Sequence, residues 1–494
     1  MAKIVIDGRD LEVANGLTIL QAAESTGIAI PHFCAHPSLA PEGTCRMCVV
    51  DIAGSAKPEL SCSTTVRDGM KITTNSPRVL EARRNVIELL LADHPMDCPI
   101  CDKAGECLLQ DYYRDHGLTT SGFHEKKTRR EKILPIGEKL LLDRERCILC
   151  TRCVRFLRDV SKTRELGVFE RGENSEIGVF DGLPVANAYS GNLVDLCPVG
   201  AITDTSFRFR ARTWFLEAKP SVCPFCARGC PVNVDVHPGF ARHPETGGIL
   251  RVRPRANATL RGPWICDAGR YDWIDIESRR ARRVVWNKGD QEAVLNGDKA
   301  YSLLGAKIRA LVESGRAGRL TLVLHSGLTN EEWGDVKAFL DEFKAKPNIW
   351  VADPADGGGD DFLRTAERTP NRRGAAASGM ELRPFDPEEL HSKTDILMVF
   401  TGIRGGLESL ERSRPAWENI GTKVLVSPIL TDLDRQFDFI FPCAIPYEKS
   451  GSYINIDGRR LEFTAVRPAP DEAKSEGEIL RALRAEFRRT AGES

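Results

Sequence analysis

The sequence has almost no net charge, no long apolar run and, beyond residue 266, a single cysteine. Its 69 basic and 70 acidic side chains nearly cancel, which excludes a general attraction to nucleic acid or to a membrane surface. No run of 18 apolar residues occurs, so no transmembrane helix is expected. Residues Met1 to Asp7 read as a short strand and lack the apolar core of a signal peptide. The expectation is a chain kept in a reducing cytoplasm, where clustered cysteines bind metal more often than they form disulfides. No general base, nucleophile or flavin site stands out. The glycines of Thr401-Gly402-Ile403-Arg404-Gly405-Gly406 do not make a G-x-G-x-x-G, so they form no dinucleotide fingerprint. Beside these absences stand an ordinary 41% hydrophobic and 28% charged composition and 494 residues, enough for several domains.

The cysteines are what is distinctive. Fifteen of the 16 lie before residue 267, in four groups. Cys34, Cys45, Cys48 and Cys62 form the first. His94, Cys98, Cys101 and Cys107 form the second; Cys147, Cys150, Cys153 and Cys197 the third; Cys223, Cys226, Cys230 and Cys266 the fourth. Fifteen thiols and one imidazole make four complete four-ligand sites, and Cys443 is left over as a structural buried thiol. In the second group three thiols cannot all pair as disulfides, and His94, four residues before Cys98, supplies the missing ligand. Gly105 suits a tight turn before Cys107.

Cluster type follows from spacing. The first group, C-x10-C-x2-C-x13-C, departs from the plant-type pattern but keeps its close central pair, and a [2Fe-2S] cluster is the expected occupant. A four-thiolate zinc knuckle is the rival, although zinc sites usually use two close pairs. In the third group a C-x2-C-x2-C triplet finds its partner far downstream in Cys197-Pro198, and Asn187, Ser190 and Leu193 stand where a second triplet would be needed. One [4Fe-4S] cluster is therefore expected there. The fourth group, C-x2-C-x3-C and then Cys266, is again cluster-like, with zinc a more serious rival. Arg46, Arg152 and Arg155 stand beside ligands, either favouring thiolates and reduced clusters or serving in ordinary surface pairs. The basic run Lys126-Lys127-Thr128-Arg129-Arg130 reads as a solvated linker, or alternatively as a docking surface for an acidic partner.

Around the ligands, residues 3–7 and Leu11–Val13 read as strands. Thr18 and Gln21 cap a helix Ile19–Thr26 that Gly27 ends. Ser76 and Pro77 start a helix to about Leu91, with Val79, Ala82, Val86 and Leu90 on one face. Short strands and turns should carry the stretch between Cys230 and Cys266. Later, strands at 320–326, Ile349–Ala352, Asp395–Thr401 and Lys423–Ser427 alternate with a helix at 329–344, which predicts a doubly wound sheet. Gly357–Gly359 and Thr369–Gly379 read as loops.

His94–Asp111, Cys147–Phe156 and Gly191–Thr203 resemble the large iron–sulfur subunit of NADH-quinone oxidoreductase, the 75-kDa subunit family of respiratory complex I. Tyr447-Glu448-Lys449-Ser450-Gly451 and Asn455-Ile456-Asp457-Gly458-Arg459 resemble the end of the molybdopterin-oxidoreductase core. The resemblance implies an α/β and α+β multidomain chain: a β-grasp [2Fe-2S] ferredoxin-like domain at 1–78, a [4Fe-4S] domain with one histidine and three cysteine ligands at 79–118 and a [4Fe-4S] ferredoxin-like domain at 138–210. A [4Fe-4S] molybdopterin-oxidoreductase-type domain at 216–272 and a shortened molybdopterin-oxidoreductase-like domain at 273–494 follow. It implies one [2Fe-2S] and three [4Fe-4S] clusters, the fourth centre off the path, no molybdenum cofactor, and electrons moving from a flavin/NADH-binding subunit towards quinone. The implied location is the cytoplasmic side of the inner membrane, held there through other peripheral-arm subunits. Two other readings compete. An electron-transfer subunit of an NAD(P)-linked hydrogenase or formate dehydrogenase could resemble residues 1–210, and a zinc-stabilised scaffold would be colourless.

Overall fold

In a computed structural model of the chain, residues 1–239, 248–256, 262–288, 291–403 and 407–488 are described. They form two compact units, Met1–Leu216 and Glu217–Ser494.

Met1–Leu216 opens on a five-stranded sheet in the order β2-β1-β5-β3-β4. β1 (Ala2–Ile6) and β2 (Arg9–Val13) make an antiparallel hairpin. Its two turn residues, Asp7 and Gly8, have φ of 50° and 79°, the sign a two-residue hairpin turn needs. Helix α1 (Ile19–Ser25) carries the expected capping box of Thr18 and Gln21. Its apolar residues close over Ile4, Ile6, Val50 and Ile72 of a sheet completed by β3 (Val49–Ile52), β4 (Glu59–Leu60) and β5 (Lys71–Thr73). The segment between α1 and β3 is a long loop.

Helix α2 (Pro77–Asp93) starts at Ser76 as expected, but its buried residues are Val79, Arg83 and Ile87. The expected face of Val79, Ala82, Val86 and Leu90 is therefore corrected by part of a turn. Arg83 is charged, so a polarity pattern puts it in water. Its guanidinium instead donates through Nη2 to the Val49 carbonyl at 3.1 Å, although its buried Nε has no partner among the described residues. Three short helices follow: α3 (Leu108–His116), α4 (Arg152–Arg155) and α5 (Asn192–Leu196).

In Glu217–Ser494 an antiparallel sheet of Glu217–Val222, Pro231–Val236 and Ile249–Pro254 precedes the helix Asp267–Ser278. The large sheet then runs, edge to edge, Gln291–Leu295, Val284–Lys288, Phe439–Pro442, Thr422–Ser427, Ile396–Phe400, Leu320–Leu324, Asn348–Val351 and Arg383–Pro384. Its last six strands are parallel. Their order reverses between Leu320–Leu324 and Ile396–Phe400, the topology of a doubly wound sheet. Alternate residues explain the apolar runs. Leu320, Leu322 and Leu324 face Tyr301, Trp333 and Leu483 on one side, whereas Val323, Leu397 and Val399 face Leu390 and Trp417 on the other. A strand buried on both faces shows no polar alternation.

The loop expected over Thr369–Gly379 contains a helix, Arg372–Ala377. Three alanines favour it, and Asn371 anchors its start by donating to the Leu328 carbonyl at 2.7 Å and accepting from the Ile454 amide at 2.6 Å. Gly405 and Gly406 lie outside the described residues.

Four buried charges tie the unit's ends together. Glu448 accepts from Arg280 and from Arg467, and Arg467 also donates to Glu277. Two guanidiniums and two carboxylates balance, so removing one strands the others. Glu448→Ala should cost about 3–5 kcal/mol, read as an earlier urea transition of the chain; an unmoved transition would show the network to be dispensable.

Candidate metal centres

The first group sits on the loop between α1 and β3 and on the turn after β4. The Cys34 amide donates to the Cys45 sulfur at 3.4 Å. Cys45 and Cys62 thiols also donate towards the Cys34 sulfur, which holds Cys34 far below the usual thiol range and pushes both donors above it. Contact with Cys62 brings Cys48 down to about 7. Four sulfurs thus meet in one place, with Gly43 and Arg46 in left-handed backbone on the loop. The Arg46 side chain is exposed, so its charge is screened by water.

The second group begins where α2 ends. His94 is the C-cap residue, and its buried Nδ1 has no hydrogen-bond partner. Burial lowers its pKa to about 4, leaving a neutral ring whose nitrogen lone pair is free to ligate. Cys98 starts a single 3-10 turn, and Cys107 caps the start of α3. Gly105 has φ of +89°, and a Cβ there would stand 2.6 Å from Thr213 Oγ1 and 2.9 Å from Trp214 Cε3. The turn before Cys107 needs glycine for both reasons.

The third group wraps tightly. Leu149 and Thr151, between its cysteines, have φ of 52° and 58°; Cys153 lies in α4 and Cys197 caps the end of α5. Burial pushes Cys147 and Cys150 up to about 12 and Cys153 well above the usual thiol range, with neighbouring thiols adding to the effect. Such sulfurs are costly as bare thiolates and would be favourable beside iron, which supplies the opposing charge.

The fourth group lies wholly in Glu217–Ser494. Cys223 follows the strand Glu217–Val222, its amide donating to the Cys230 carbonyl at 2.8 Å, and Cys266 caps the helix Asp267–Ser278. A Cβ on Gly269 would be 2.9 Å from the Cys223 sulfur. The loop is clasped from far along the chain: Ala227 donates to Glu367 at 3.1 Å and accepts from Ile456 at 2.8 Å. The tail segment around residues 447–459 thus helps to build this site, which spacing alone did not reveal.

Cys443 stands apart, fully buried in the core of the large sheet. Among the described residues no three His, Cys, Asp or Glu side chains converge on the spacing of a single-ion site. A cubane does not ask for that, because its ligands surround several irons rather than one point.

Three groups share walls within Met1–Leu216. Arg155, 1% exposed, donates to the carbonyls of Cys34 and Cys150, joining the first group to the third. Arg152, 7% exposed, does the same through Ala35 and, at 3.4 Å, Leu196. Both arginines are thus buried between ligand loops, and Arg155 also pairs with the exposed Glu42 at 3.0 Å. The third group meets the second where a Cβ on Gly200 would lie 2.2 Å from the Cys101 sulfur and where the Leu108 amide donates to Pro198 at 3.0 Å. The third group thus contacts both of the others, and the loop of the first also touches α3 through Tyr112. The basic run is also tied down: Lys127 donates to the Leu91 and Ala92 carbonyls that end α2, and Arg130 to those of Glu173 and Ser175.

Four families match in sequence. Residues 1–77 match the 2Fe-2S iron-sulfur cluster binding domain, and 83–121 the NADH-ubiquinone oxidoreductase-G iron-sulfur binding region. Residues 137–203 match the NADH-quinone oxidoreductase subunit 3 ferredoxin-like domain, and 216–273 the molybdopterin oxidoreductase Fe4S4 domain. The NADH-quinone oxidoreductase G subunit of Streptomyces coelicolor is 34% identical over 97% of this chain and 57% of its own length. The NADH-ubiquinone oxidoreductase 75 kDa subunit of Reclinomonas americana is 39% identical over 64% of this chain and 44% of its own. A chain of an NAD+-reducing [NiFe]-hydrogenase crystal structure is 31% identical over 42% of this chain and 90% of its own, with a TM-score of 0.39. The chain spans about half the length of the curated relatives it matches, and it belongs to the family of the NADH-quinone oxidoreductase G subunit.

Proposed function

We propose that this chain is the iron–sulfur electron-transfer subunit of a proton-translocating NADH-quinone oxidoreductase, passing electrons from a flavin subunit towards quinone. The observation that carries the reading is the shared walls of the three sites in Met1–Leu216, which put one ligand set against the next through arginine-bonded carbonyls and the Gly200 contact. Bound clusters supply one-electron sites whose potentials follow ligand charge, hydrogen bonding and exposure. The protein's own side chains ligate, exclude water and hold the centres at fixed separation.

In this reading Cys34, Cys45, Cys48 and Cys62 hold a [2Fe-2S] cluster in a β-grasp domain. The sets His94/Cys98/Cys101/Cys107, Cys147/Cys150/Cys153/Cys197 and Cys223/Cys226/Cys230/Cys266 each hold a [4Fe-4S] cluster, the last one off the relay. NADH and quinone bind to partner subunits, through which the chain associates with the cytoplasmic face of the membrane. Among the described residues no helix is long and apolar enough to cross one. Molybdenum has no place in the scheme: Cys443, the one cysteine beyond Cys266, is buried in the sheet core with its amide bonded to Ser427.

Purified without oxygen, the chain should be brown, with about fourteen irons and several EPR signals on reduction. A colourless zinc protein would end the reading. His94→Cys should keep its cluster but lower the midpoint by on the order of 100 mV, because a thiolate adds one negative charge; an unchanged midpoint in a redox titration would count against ligation. Arg152→Met removes a buried positive charge near Cys150 and Cys197, and should lower the third group's potential by roughly 50–100 mV at an effective dielectric of about 20. The exposed Arg46→Met is the matched control and should leave its own cluster almost unmoved; equal shifts in the two variants would refute the distinction.

A further inference from the structure

Two tyrosines in Glu217–Ser494, Tyr447 and Tyr453, are buried without a hydrogen-bond partner among the described residues, and both pack beside the fourth site. Tyr447 and Tyr453 are 1% and 0% exposed, and neither hydroxyl has a partner in the structure. An unpaired buried hydroxyl is costly, so native interiors rarely keep one, and two beside each other call for an acceptor.

Their placement says where that acceptor is. Tyr447 packs in the same apolar cluster as Cys223 and Cys230. Tyr453 packs against Val222, the residue before Cys223. It lies on the strand Gly451–Ile454, directly opposite Leu461 of Arg460–Phe463, and opposed residues of an antiparallel pair point to one face. Leu461 lies so close to Gly229, inside the cysteine loop, that a Cβ there would be 2.5 Å from its Cδ1. The face that carries Tyr453 is therefore the one turned to the loop. Burial raises both hydroxyls; Cys223 and Tyr453 add to the effect at Tyr447, and Lys449, Glu332 and Glu476 act on Tyr453 ahead of Cys223. Neither hydroxyl is bonded to a described protein group, the Glu332 and Glu476 carboxylates near Tyr453 included, and the sulfurs of the fourth site are acceptors in the same packed region.

We infer that the Tyr447 and Tyr453 hydroxyls donate hydrogen bonds to the sulfurs of the fourth centre, Cys223 or cluster sulfide, and so act as positioning residues that raise its reduction potential. This rests on the reading of Cys223, Cys226, Cys230 and Cys266 as cluster ligands. A donor at sulfur favours the reduced, more negative cluster, so its loss makes reduction harder. No proton is transferred and no bond of the tyrosine is broken.

The test is a redox titration of the whole iron-loaded chain, followed by EPR, with Tyr447→Phe, Tyr453→Phe and the double variant. Cys223→Ser identifies the signal that belongs to this centre. Each Phe variant should keep that signal and shift its reduction equilibrium roughly tenfold towards the oxidised form, about 59 mV for a one-electron couple. Tyr301→Phe, in the separate core of the large sheet, should leave it unmoved. Midpoints unchanged in all three variants, with iron retained, overturn the proposal and leave the ligand assignment standing. If no signal of the unaltered chain depends on Cys223, the ligand assignment fails, and the proposal with it. Should a Phe variant not fold, pulsed EPR of the unaltered chain after refolding in deuterated solvent decides: exchangeable deuterons coupled to this centre beyond those of backbone amides such as Phe225 and Gly269 support the hydroxyl donors, and their absence excludes them.

Discussion

Everything in this molecule depends on a conflict between sulfur and burial. The ligands lie in interiors that disfavour negative charge, and Cys147 and Cys150 show it by being pushed up to about 12. A protein that gained nothing in return would keep those positions apolar. Bound iron would resolve the conflict, because a coordinating thiol is deprotonated outright and its charge is neutralised where it sits. The ligands also come from distant stretches, Cys153 with Cys197 and Cys230 with Cys266, so each site closes a long loop. Metal affinity is then inseparable from folding free energy.

The same conflict explains why arginine is buried where the sites meet. Arg152 and Arg155 each satisfy carbonyls on two ligand loops at once. A guanidinium has five donors in a rigid fork, so one side chain can fix two backbones in register, which a lysine could not do. Its charge also lies close to thiolates that need it. Mechanical and electrostatic roles coincide here, and the buried cation is stable because the ligand loops supply both carbonyl acceptors and negative sulfur.

The proposed ligand sets follow from spacing and stoichiometry, which are local properties of the sequence. Four sets of four can be read from intervals alone, and His94 from a missing ligand. The capping box at Thr18 and the start of α2 at Ser76 are legible for the same reason. Which groups touch is not, since that is set by side chains meeting across more than a hundred residues, as Arg155 meets Cys34. Arg83 defeats a pattern-based view of the α2 face, because polarity does not say whether a carbonyl waits in the interior to receive a guanidinium. The helix Arg372–Ala377 hides among glycine, proline and threonine, and it is anchored by contacts of Asn371 with Leu328 and Ile454 that no local pattern encodes. The tail around Tyr447 and Asn455 carries a resemblance in its residues, but its place beside the Cys223 loop emerges only in three dimensions.

The large sheet shows how a fold can keep its topology and turn its customary binding point to structural use. In an open doubly wound sheet, ligands enter the crevice where strand order reverses, and anions rest on the helix N-terminus that follows the first strand. Here that first strand is Leu320–Leu324, and the next helix, Asn330–Leu340, begins with its own carboxylate: Glu332 accepts from the Thr329 amide at 2.8 Å. Lys449 neutralises Glu332 at 2.8 Å and also binds Glu476, which in turn contacts His325 at 3.3 Å. His325 fills the other side, lying so near Gly402 that a Cβ there would be 2.5 Å from its ring. Side chains of the protein therefore already satisfy the charge and hydrogen-bonding capacity at the reversal. The missing glycine fingerprint after the first strand has the same cause, since glycines are needed where a pyrophosphate must approach the backbone, and here a histidine and a carboxylate take that space.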